Sequence, residues 1–195
     1  QHGVSKRRTW RKLHLGANPE DGEIQAVILT ENSVSDDETV EALLEQIEQQ
    51  QPYLIDKLHL EMKVVGLANS KKMIFKEEGI DLENWKDQLK DSKMTSNLDE
   101  FYNHVIDLNL RNSVFVDNTA NDIVPTYYEK YLRKSIAVVA CNKVASSSDF
   151  ENYNQLKELS KEYNAPYLFE TNVGAGLPII DNLKNMVNSG DEIKE

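Results

Sequence analysis

Short apolar segments alternate with amphipathic segments along most of this chain of 195 residues, and this alternation limits the folds that it can adopt. The apolar segments are rich in Val, Ile and Ala, a composition typical of strands that are buried on both faces. Strands are predicted at 62–68, 113–117, 135–141 and 167–170, and helices at 35–51, 82–89, 98–108, 123–133, 149–163 and 177–188. This order predicts an α/β fold, a parallel sheet with helices on both faces.

A β-hairpin is predicted to precede this sheet. Residues 9–15 alternate weakly, residues 18–22 carry turn-forming Pro and Gly, and residues 23–30 are rich in β-branched side chains. Charge also changes here, because residues 1–16 contain five basic side chains and no acidic one, whereas residues 17–61 contain twelve acidic side chains and one lysine. The asymmetry suggests a basic arm followed by a different segment.

The composition excludes several classes of function. A net charge of -11 argues against nucleic-acid or membrane-surface binding by the whole chain. No apolar run approaches the roughly 20 residues of a membrane span, and no secretory signal opens the sequence. The single Cys141 excludes an internal disulfide, and four scattered histidines argue against a Cys/His metal cluster. We therefore expect a soluble, cytoplasmic protein.

Polar groups follow four of the predicted strands. Ligands of open α/β sheets bind beyond the carboxyl ends of the strands, which meet at one edge. These groups therefore predict a ligand site at that edge. They are Asn69-Ser70-Lys71, Asn118-Thr119-Ala120, Asn142-Lys143 and Thr171-Asn172-Val173-Gly174.

Five longer motifs carry a family resemblance. They are VVGLANSKK (64–72), GIDLENWKD (79–87), VFVDNTA (114–120), VVACNKVASSS (138–148) and FETNVGAGLPII (169–180). On these motifs, residues 43–195 resemble the homoserine dehydrogenase family, especially the dehydrogenase half of bifunctional aspartokinase/homoserine dehydrogenases. The resemblance implies a truncated Rossmann-type domain and the NAD(P)-dependent interconversion of homoserine and aspartate 4-semialdehyde, in threonine and methionine biosynthesis. It also implies NADP or NAD as coenzyme and, in intact members, homo-oligomers.

The resemblance assigns roles to three residues near the strand ends. Lys143 matches the lysine that contacts substrate and nicotinamide, where its ammonium could polarise the carbonyl during hydride transfer. The alternative is an ordinary solvated lysine. Thr119 matches a coenzyme contact, and its alternative role is the N-cap of the following helix. Asn142 lines the same strand end.

The turn after the second strand bears on the choice of coenzyme. NAD-specific sites usually carry an acid here, whereas Asn69, Ser70 and Lys71 are followed by a second lysine, Lys72. Two lysines favour the 2′-phosphate of NADP. The alternative is a plain turn with a solvated lysine pair.

A monovalent-cation site, for sodium or a similar ion, is also implied by the resemblance. Its residues are Glu170, Val173, Ala175 and Leu177, which would offer a carboxylate and three backbone carbonyls. The alternative is that Gly174 and Gly176 serve only a tight turn between strand and helix.

Residues 1–42 belong to a different pattern. The sequences QHGVSKRRTWRKLHLG and GEIQAVILTENSVSD resemble DDE transposases of bacterial insertion sequences, and the resemblance places a junction near residue 42. Residues 23–30 could substitute for the first strand of the domain, at the edge or in the centre of the sheet. Nothing substitutes for the glycines, since there is no GxGxxG before the helix at 35–51, and Asp36, Asp37 and Glu38 would repel phosphates. We therefore expect the chain itself to be inactive as a dehydrogenase. The alternatives are a DNA-binding transposase remnant acting through Lys6, Arg7, Arg8, Arg11 and Lys12, and a fusion product that does not fold stably.

Overall fold

The computed structural model describes residues 23–30, 34–172, 177 and 179–192. Seven strands occur in this part of the chain: β1 (Glu23–Thr30), β2 (Glu61–Ala68), β3 (Lys72–Phe75), β4 (Met94–Thr95), β5 (Ser113–Asn118), β6 (Ala137–Ala140) and β7 (Tyr167–Leu168). Its α-helices are α1 (Val34–Leu58), α2 (Trp85–Asp91), α3 (Leu98–Leu108), α4 (Tyr128–Leu132), α5 (Val144–Ser147), α6 (Phe150–Glu162) and α7 (Ile179–Asn188).

The strands form one sheet in the order β4-β3-β2-β1-β5-β6-β7. The five strands from β2 to β7 in this order are parallel, which confirms the predicted α/β class. The other two strands, β3 and β4, were not predicted, and they extend the sheet in an antiparallel sense beyond β2. A tight turn links β2 to β3, so no crossover helix follows β2 directly.

β1 occupies the centre of the sheet. It pairs with β2 from Glu23 to Leu29 and with β5 from Gln25 to Thr30, in parallel on both sides. A strand has only two edges, so β1 is not the arm of a separate hairpin, and that expectation is corrected. Its predicted partner, residues 9–15, lies outside the described residues, as does the basic arm. The predicted junction near residue 42 falls within helix α1, which connects the paired strands β1 and β2 of the same sheet.

Two hydrophobic clusters cover the two faces of the sheet. On one face, α1 and α2 pack against the sheet through residues such as Leu44 and Trp85. On the other face, α3, α4 and α6 pack through residues such as Phe101, Tyr128 and Leu156. The fully buried β5 alternates between the faces, since Val114 and Val116 join the α1 cluster and Phe115 joins the α3 cluster.

Several element bounds differ from the prediction. α1 continues past Pro52 instead of ending near Gln51, and the Gln51 side-chain amide hydrogen-bonds the backbone of Met62 at the start of β2. The predicted helix at 123–133 begins as a 3-10 turn, Val124–Tyr127, with Pro125 in its first turn as expected. Among the helices just given, none is long and apolar enough to cross a membrane.

Candidate functional site

The centre of the candidate site is the point where the sheet changes its winding direction. From β1 the chain winds outward to β2, whereas from β5 it winds the opposite way to β6 and β7. Ligands of open α/β sheets bind at such a switch point, beyond the carboxyl ends of the strands. At that end, Thr30 of β1 pairs with Asn118 of β5.

Asp117 anchors the end of β5 on the α3 face. Its carboxylate is 0% exposed; it accepts a hydrogen bond from the Tyr128 hydroxyl and another from the Thr119 backbone N–H at 2.8 Å. Burial raises the pKa of the Asp117 carboxyl, and the hydrogen bond from Tyr128 opposes this increase. Burial, together with the nearby Asp117 carboxylate, also raises the pKa of Tyr128. The pair fixes the backbone where β5 turns into the site.

Thr119 and Asn121 shape the loop after β5. The Thr119 hydroxyl oxygen accepts from the backbone N–H of Asn121 at 3.2 Å. The Asn121 side-chain oxygen accepts from the N–H groups of Ile123, at 2.7 Å, and Val124. The amides at the start of the following 3-10 turn are therefore bound by Asn121, not by Thr119, which corrects the alternative N-cap role of Thr119.

Asn142 joins the ends of β5 and β6. It is 2% exposed, and its side-chain NH₂ donates to the Thr119 hydroxyl at 3.3 Å and to the Asn121 carbonyl at 2.9 Å. Its side-chain oxygen accepts from the Val144 N–H at 3.0 Å. The structure thus brings Thr119 and Asn142 together, as the strand-end pattern predicted.

Asn172 connects the end of β7 to the same loop. Its side-chain NH₂ donates to the Asn142 carbonyl at 3.1 Å and to the Ser146 hydroxyl at 2.9 Å. The Ser146 hydroxyl also lies 3.2 Å from the Tyr167 hydroxyl. Sequence analysis placed Asn172 among the strand-end groups but assigned it no role, because its partners are distant in sequence.

Lys143 is exposed at the carboxyl end of β6, immediately before α5. Its two sequence neighbours are held, since Asn142 is bonded to the β5 loop and Val144 to Asn142. Its backbone carbonyl accepts from the Ser147 N–H at 2.9 Å. The backbone of Lys143 is therefore fixed by its surroundings, while its ammonium remains open to solvent and to a ligand.

Asn118 is the residue of this edge with the least satisfied side chain. It is 6% exposed, and within the described part of the chain neither atom of its carboxamide has a hydrogen-bond partner. β5 alternates between faces, and Asp117 faces α4, so Asn118 lies on the α1 face. A buried amide without partners is rare, because each polar atom has lost its water without replacement. Only the structure reveals this feature.

Asn69, Ser70 and Lys71 form the turn between β2 and β3. The Asn69 side-chain oxygen accepts from the N–H groups of Lys71, at 2.9 Å, and Lys72, at 2.8 Å. Ser70 and Lys71 are exposed. The Lys72 ammonium donates to the Ser92 carbonyl, so it is directed towards β4 rather than outward. β1 separates this turn from β5, a distance of two strand spacings or about 10 Å.

Glu170 holds the start of α7. Its two carboxylate oxygens accept from the N–H groups of Ile180, at 2.9 Å, and Asp181, at 3.0 Å. This is an N-terminal cap supplied from outside the helix. Leu177 is 64% exposed, and its carbonyl accepts from the Ile179 N–H. Val173 and Ala175 lie outside the described residues. Within the described ranges, no group of three or more His, Cys, Asp or Glu side chains could hold a metal ion.

Comparison with known proteins identifies the family to which this chain belongs. Residues 38–170 match the family model for the homoserine dehydrogenase NAD binding domain. The chain belongs to this family. One relative is the bifunctional aspartokinase/homoserine dehydrogenase of Haemophilus influenzae, which is 37% identical over 152 residues. The match covers 78% of this chain but only 18% of that relative, so the chain spans less than a fifth of its length.

Solved structures have the same fold. A Candida auris protein of unknown function superposes with a TM-score of 0.72 and 30% identity, over 88% of this chain and 45% of that one. A hyperthermophilic archaeal homoserine dehydrogenase in complex with NADPH superposes with a TM-score of 0.65 and 24% identity, over 85% of this chain and 50% of the other. These likenesses agree with the Rossmann-type domain that the family resemblance implied.

Proposed function

We propose that this chain is the coenzyme-binding part of a homoserine dehydrogenase, the enzyme type that converts L-homoserine and NAD(P)⁺ to aspartate 4-semialdehyde and NAD(P)H. The observation that carries the proposal is the joined set of strand ends at the switch point, where Thr119, Asn142 and Lys143 meet. The family match over residues 38–170 supports it. Substrate and reaction are proposed from the relatives, because the chain spans a small share of their length.

The β5–β7 side of the site fits a nicotinamide coenzyme. It offers the unpartnered Asn118 amide and the exposed Lys143, with Thr119 and Asn142 between them. When bound, the coenzyme supplies the atom that accepts or donates hydride. In this arrangement the Lys143 ammonium donates a hydrogen bond to the substrate oxygen and stabilises the negative charge that develops there.

The β1–α1 side fits the coenzyme poorly. The sequence between β1 and α1 is Glu31-Asn32-Ser33, without the glycines that let a backbone approach a pyrophosphate. Three acidic residues follow within the first turns of α1: Asp36, Asp37 and Glu38. Negative charge at this helix end repels phosphate instead of attracting it. We therefore propose weak coenzyme binding and no dehydrogenase activity for the chain alone.

The proposed preference for NADP rests on Lys71. Lys72 is engaged with Ser92, so the exposed Lys71 is the lysine of this turn that can meet a 2′-phosphate. No acidic residue stands within the Asn69–Lys72 turn to oppose it. The test is the ratio of the Kd values for NADPH and NADH, which Lys71→Ala should bring closer to one.

The monovalent cation is a separate proposal. Glu170 and the Leu177 carbonyl already accept hydrogen bonds, yet each oxygen keeps a second lone pair for an ion. A sodium ion held by Glu170, Val173, Ala175 and Leu177 would tie β7 to α7. Sodium chloride should then raise the thermal midpoint more than tetramethylammonium chloride at equal ionic strength. Equal midpoints in the two salts would remove the ion from the proposal.

Three further expectations remain predictions. A cytoplasmic location was predicted from the composition. Homo-oligomers in intact relatives, and the division of the sequence into residues 1–42 of transposase origin and residues 43–195 of dehydrogenase origin, depend on the resemblances. The division into two segments concerns only their origin, since β1 takes part in the common sheet whatever its ancestry.

The central experiment is thermal unfolding of the purified chain with and without NADPH, followed by an assay for homoserine-dependent NADPH formation. A ligand raises the midpoint only if it binds the folded state. We expect a rise with NADPH, a smaller rise in Lys143→Ala, and no NADPH formation. Lys134→Ala is the matched control, because Lys134 is an exposed lysine before the opposite end of β6.

Two results would contradict this proposal. A midpoint indifferent to NADPH would mean that the chain does not bind the coenzyme. NADPH formation that is lost in Lys143→Ala would show that the chain is an active dehydrogenase after all.

A further inference from the structure

We propose that the side-chain amide of Asn118 is a coenzyme-reading group, which binds the nicotinamide–ribose half of the molecule and lowers the stability of the free chain. This inference rests on the proposed function, since it names one more residue of the same site. It follows from the place of Asn118 at the switch point and from the absence of a partner for its buried amide among the residues that the structure describes.

The other amide side chains of this edge are used within the protein. Asn69 closes the β2–β3 turn, Asn121 binds the 3-10 turn, and Asn142 joins two loops. Asn172 has an unpartnered oxygen, but its NH₂ makes two hydrogen bonds. Of these five side chains, Asn118 is the one that makes no hydrogen bond to any described residue, although it is only 6% exposed. An apolar residue at this position would avoid the free-energy cost of burying polar atoms without hydrogen bonds.

The chemistry of an amide narrows the choice of ligand group. A carboxamide offers both a donor and an acceptor, and both are unused here. Phosphate oxygens only accept, so they would leave the acceptor of Asn118 unpaired. A ribose hydroxyl or a nicotinamide carboxamide both donates and accepts, and the nicotinamide half carries both kinds of group. Asn118 also directly precedes Thr119, whose loop is bonded to the Lys143 segment through Asn142.

The test is the variant Asn118→Leu, which keeps the branched shape and the number of side-chain heavy atoms and removes both polar atoms. In the free chain, we expect the urea midpoint to rise, because two buried polar atoms without partners are gone. NADPH binding should weaken at least fivefold, whereas binding of 2′,5′-ADP, which lacks the nicotinamide half, should not change. A residue with only a structural role would not make the chain more stable and a poorer binder at once.

The NADP analogue with an acetyl group in place of the carboxamide separates the two ligand groups. If Asn118 pairs with the carboxamide, its replacement by Leu should weaken NADPH binding more than binding of the analogue, which keeps the carbonyl oxygen as an acceptor but lacks the NH₂ donor. If it pairs with the ribose, both should weaken equally. Either pattern supports a coenzyme-reading role and identifies the contact.

Controls separate this inference from the proposed function. Asn152→Leu changes an exposed asparagine whose side chain donates to the Ser148 hydroxyl, and it should alter neither nucleotide's Kd. If Asn118→Leu does not fold, Asn118→Ser gives the same comparison of the two nucleotides with a smaller change. Unchanged NADPH binding in a folded Asn118 variant would overturn the inference alone. A wild-type chain that binds neither nucleotide would overturn the proposed function, and this inference with it.

Discussion

The turn after β2 and the loops after β5, β6 and β7 look alike in sequence, yet the structure uses them differently. All are short polar groups that follow an apolar strand. The β2 turn closes on itself through Asn69 and leads into the antiparallel β3. The other three loops are bonded to one another through the side chains of Asn142 and Asn172.

This difference separates a local turn from a shared site. The bonds of Asn69 span two or three residues, so the turn would keep them even if its neighbours moved. The bonds of Asn142 and Asn172 span 21 to 30 residues where they reach another loop. The β5–β7 edge therefore holds its geometry only while the whole sheet is folded, and it presents Lys143 on a fixed backbone.

The largest effect is expected from Asn142→Ala. It removes three side-chain hydrogen bonds in a buried position and leaves the Val144 N–H and the Asn121 carbonyl without partners. We expect the free energy of unfolding to fall by about 2–3 kcal/mol, as measured by urea denaturation. A loss below that of Asn69→Ala would contradict the distinction between the two regions.

A smaller effect is expected from Asn172→Ala, which removes the bonds to the Asn142 carbonyl and the Ser146 hydroxyl. The free energy of unfolding should fall by about 1–2 kcal/mol. Amide hydrogen exchange should accelerate at Val144–Ser147, because α5 loses its contact with the β7 end. Asn152→Ala, at an exposed asparagine near the same loop, should leave this exchange unchanged.

The pH dependence of stability provides a third test, through Asp117. Burial raises its pKa above the unfolded value of 3.8, so the folded state binds the proton more tightly. The contribution of this group is therefore fully present below that unfolded pKa and is lost as the pH rises through the folded pKa. Asp117→Asn cannot titrate, so its stability relative to the wild type should increase with pH above 3.8.

Urea denaturation of both proteins across this pH range measures that difference, and other titrating groups cancel in it. If the stability difference stays constant, or decreases as the pH rises, then burial does not raise the pKa of Asp117. The variant Asp99→Asn, at an exposed carboxylate that accepts from the Tyr127 hydroxyl, serves for comparison.

The smallest effect is expected from Asn69→Ala. The two hydrogen bonds that it removes lie in a hairpin turn next to solvent, where water can replace them. We expect a loss of about 0.5–1 kcal/mol in urea denaturation. A loss comparable to that of Asn142→Ala would mean that the β2 turn supports the sheet as strongly as the joined loops do.

Much of the fold could be predicted from local pattern. Helix α3 begins and ends where its apolar spacing indicated, with Asn97 as its N-cap through the Glu100 N–H. The strand ends Asn118, Asn142 and Thr171 also lie at the predicted edge. These successes share a cause, since amphipathic spacing and β-branched runs act over a few residues.

Other features depend on which segments meet in space. The prediction of a hairpin for 23–30 was wrong because both its edges are taken by strands that come much later in the chain. β3 and β4 were not predicted from local pattern, and it is the pairing of β3 with β2 and of β4 with β3 that defines them. The capping of α7 by Glu170 likewise joins residues across the turn, where sequence suggested only a cation ligand.

The sequence by itself determined the α/β class, the family and the edge of the sheet where chemistry would be found, because alternating apolar periods and strand-end motifs are local properties. Only the tertiary structure decided that β1 lies at the centre, that Asn142 and Asn172 hold the Lys143 segment, and that Asn118 is buried without a partner among the described residues. Hydrogen-bond satisfaction depends on every neighbour that packing brings within about 3 Å, and no local pattern specifies those neighbours.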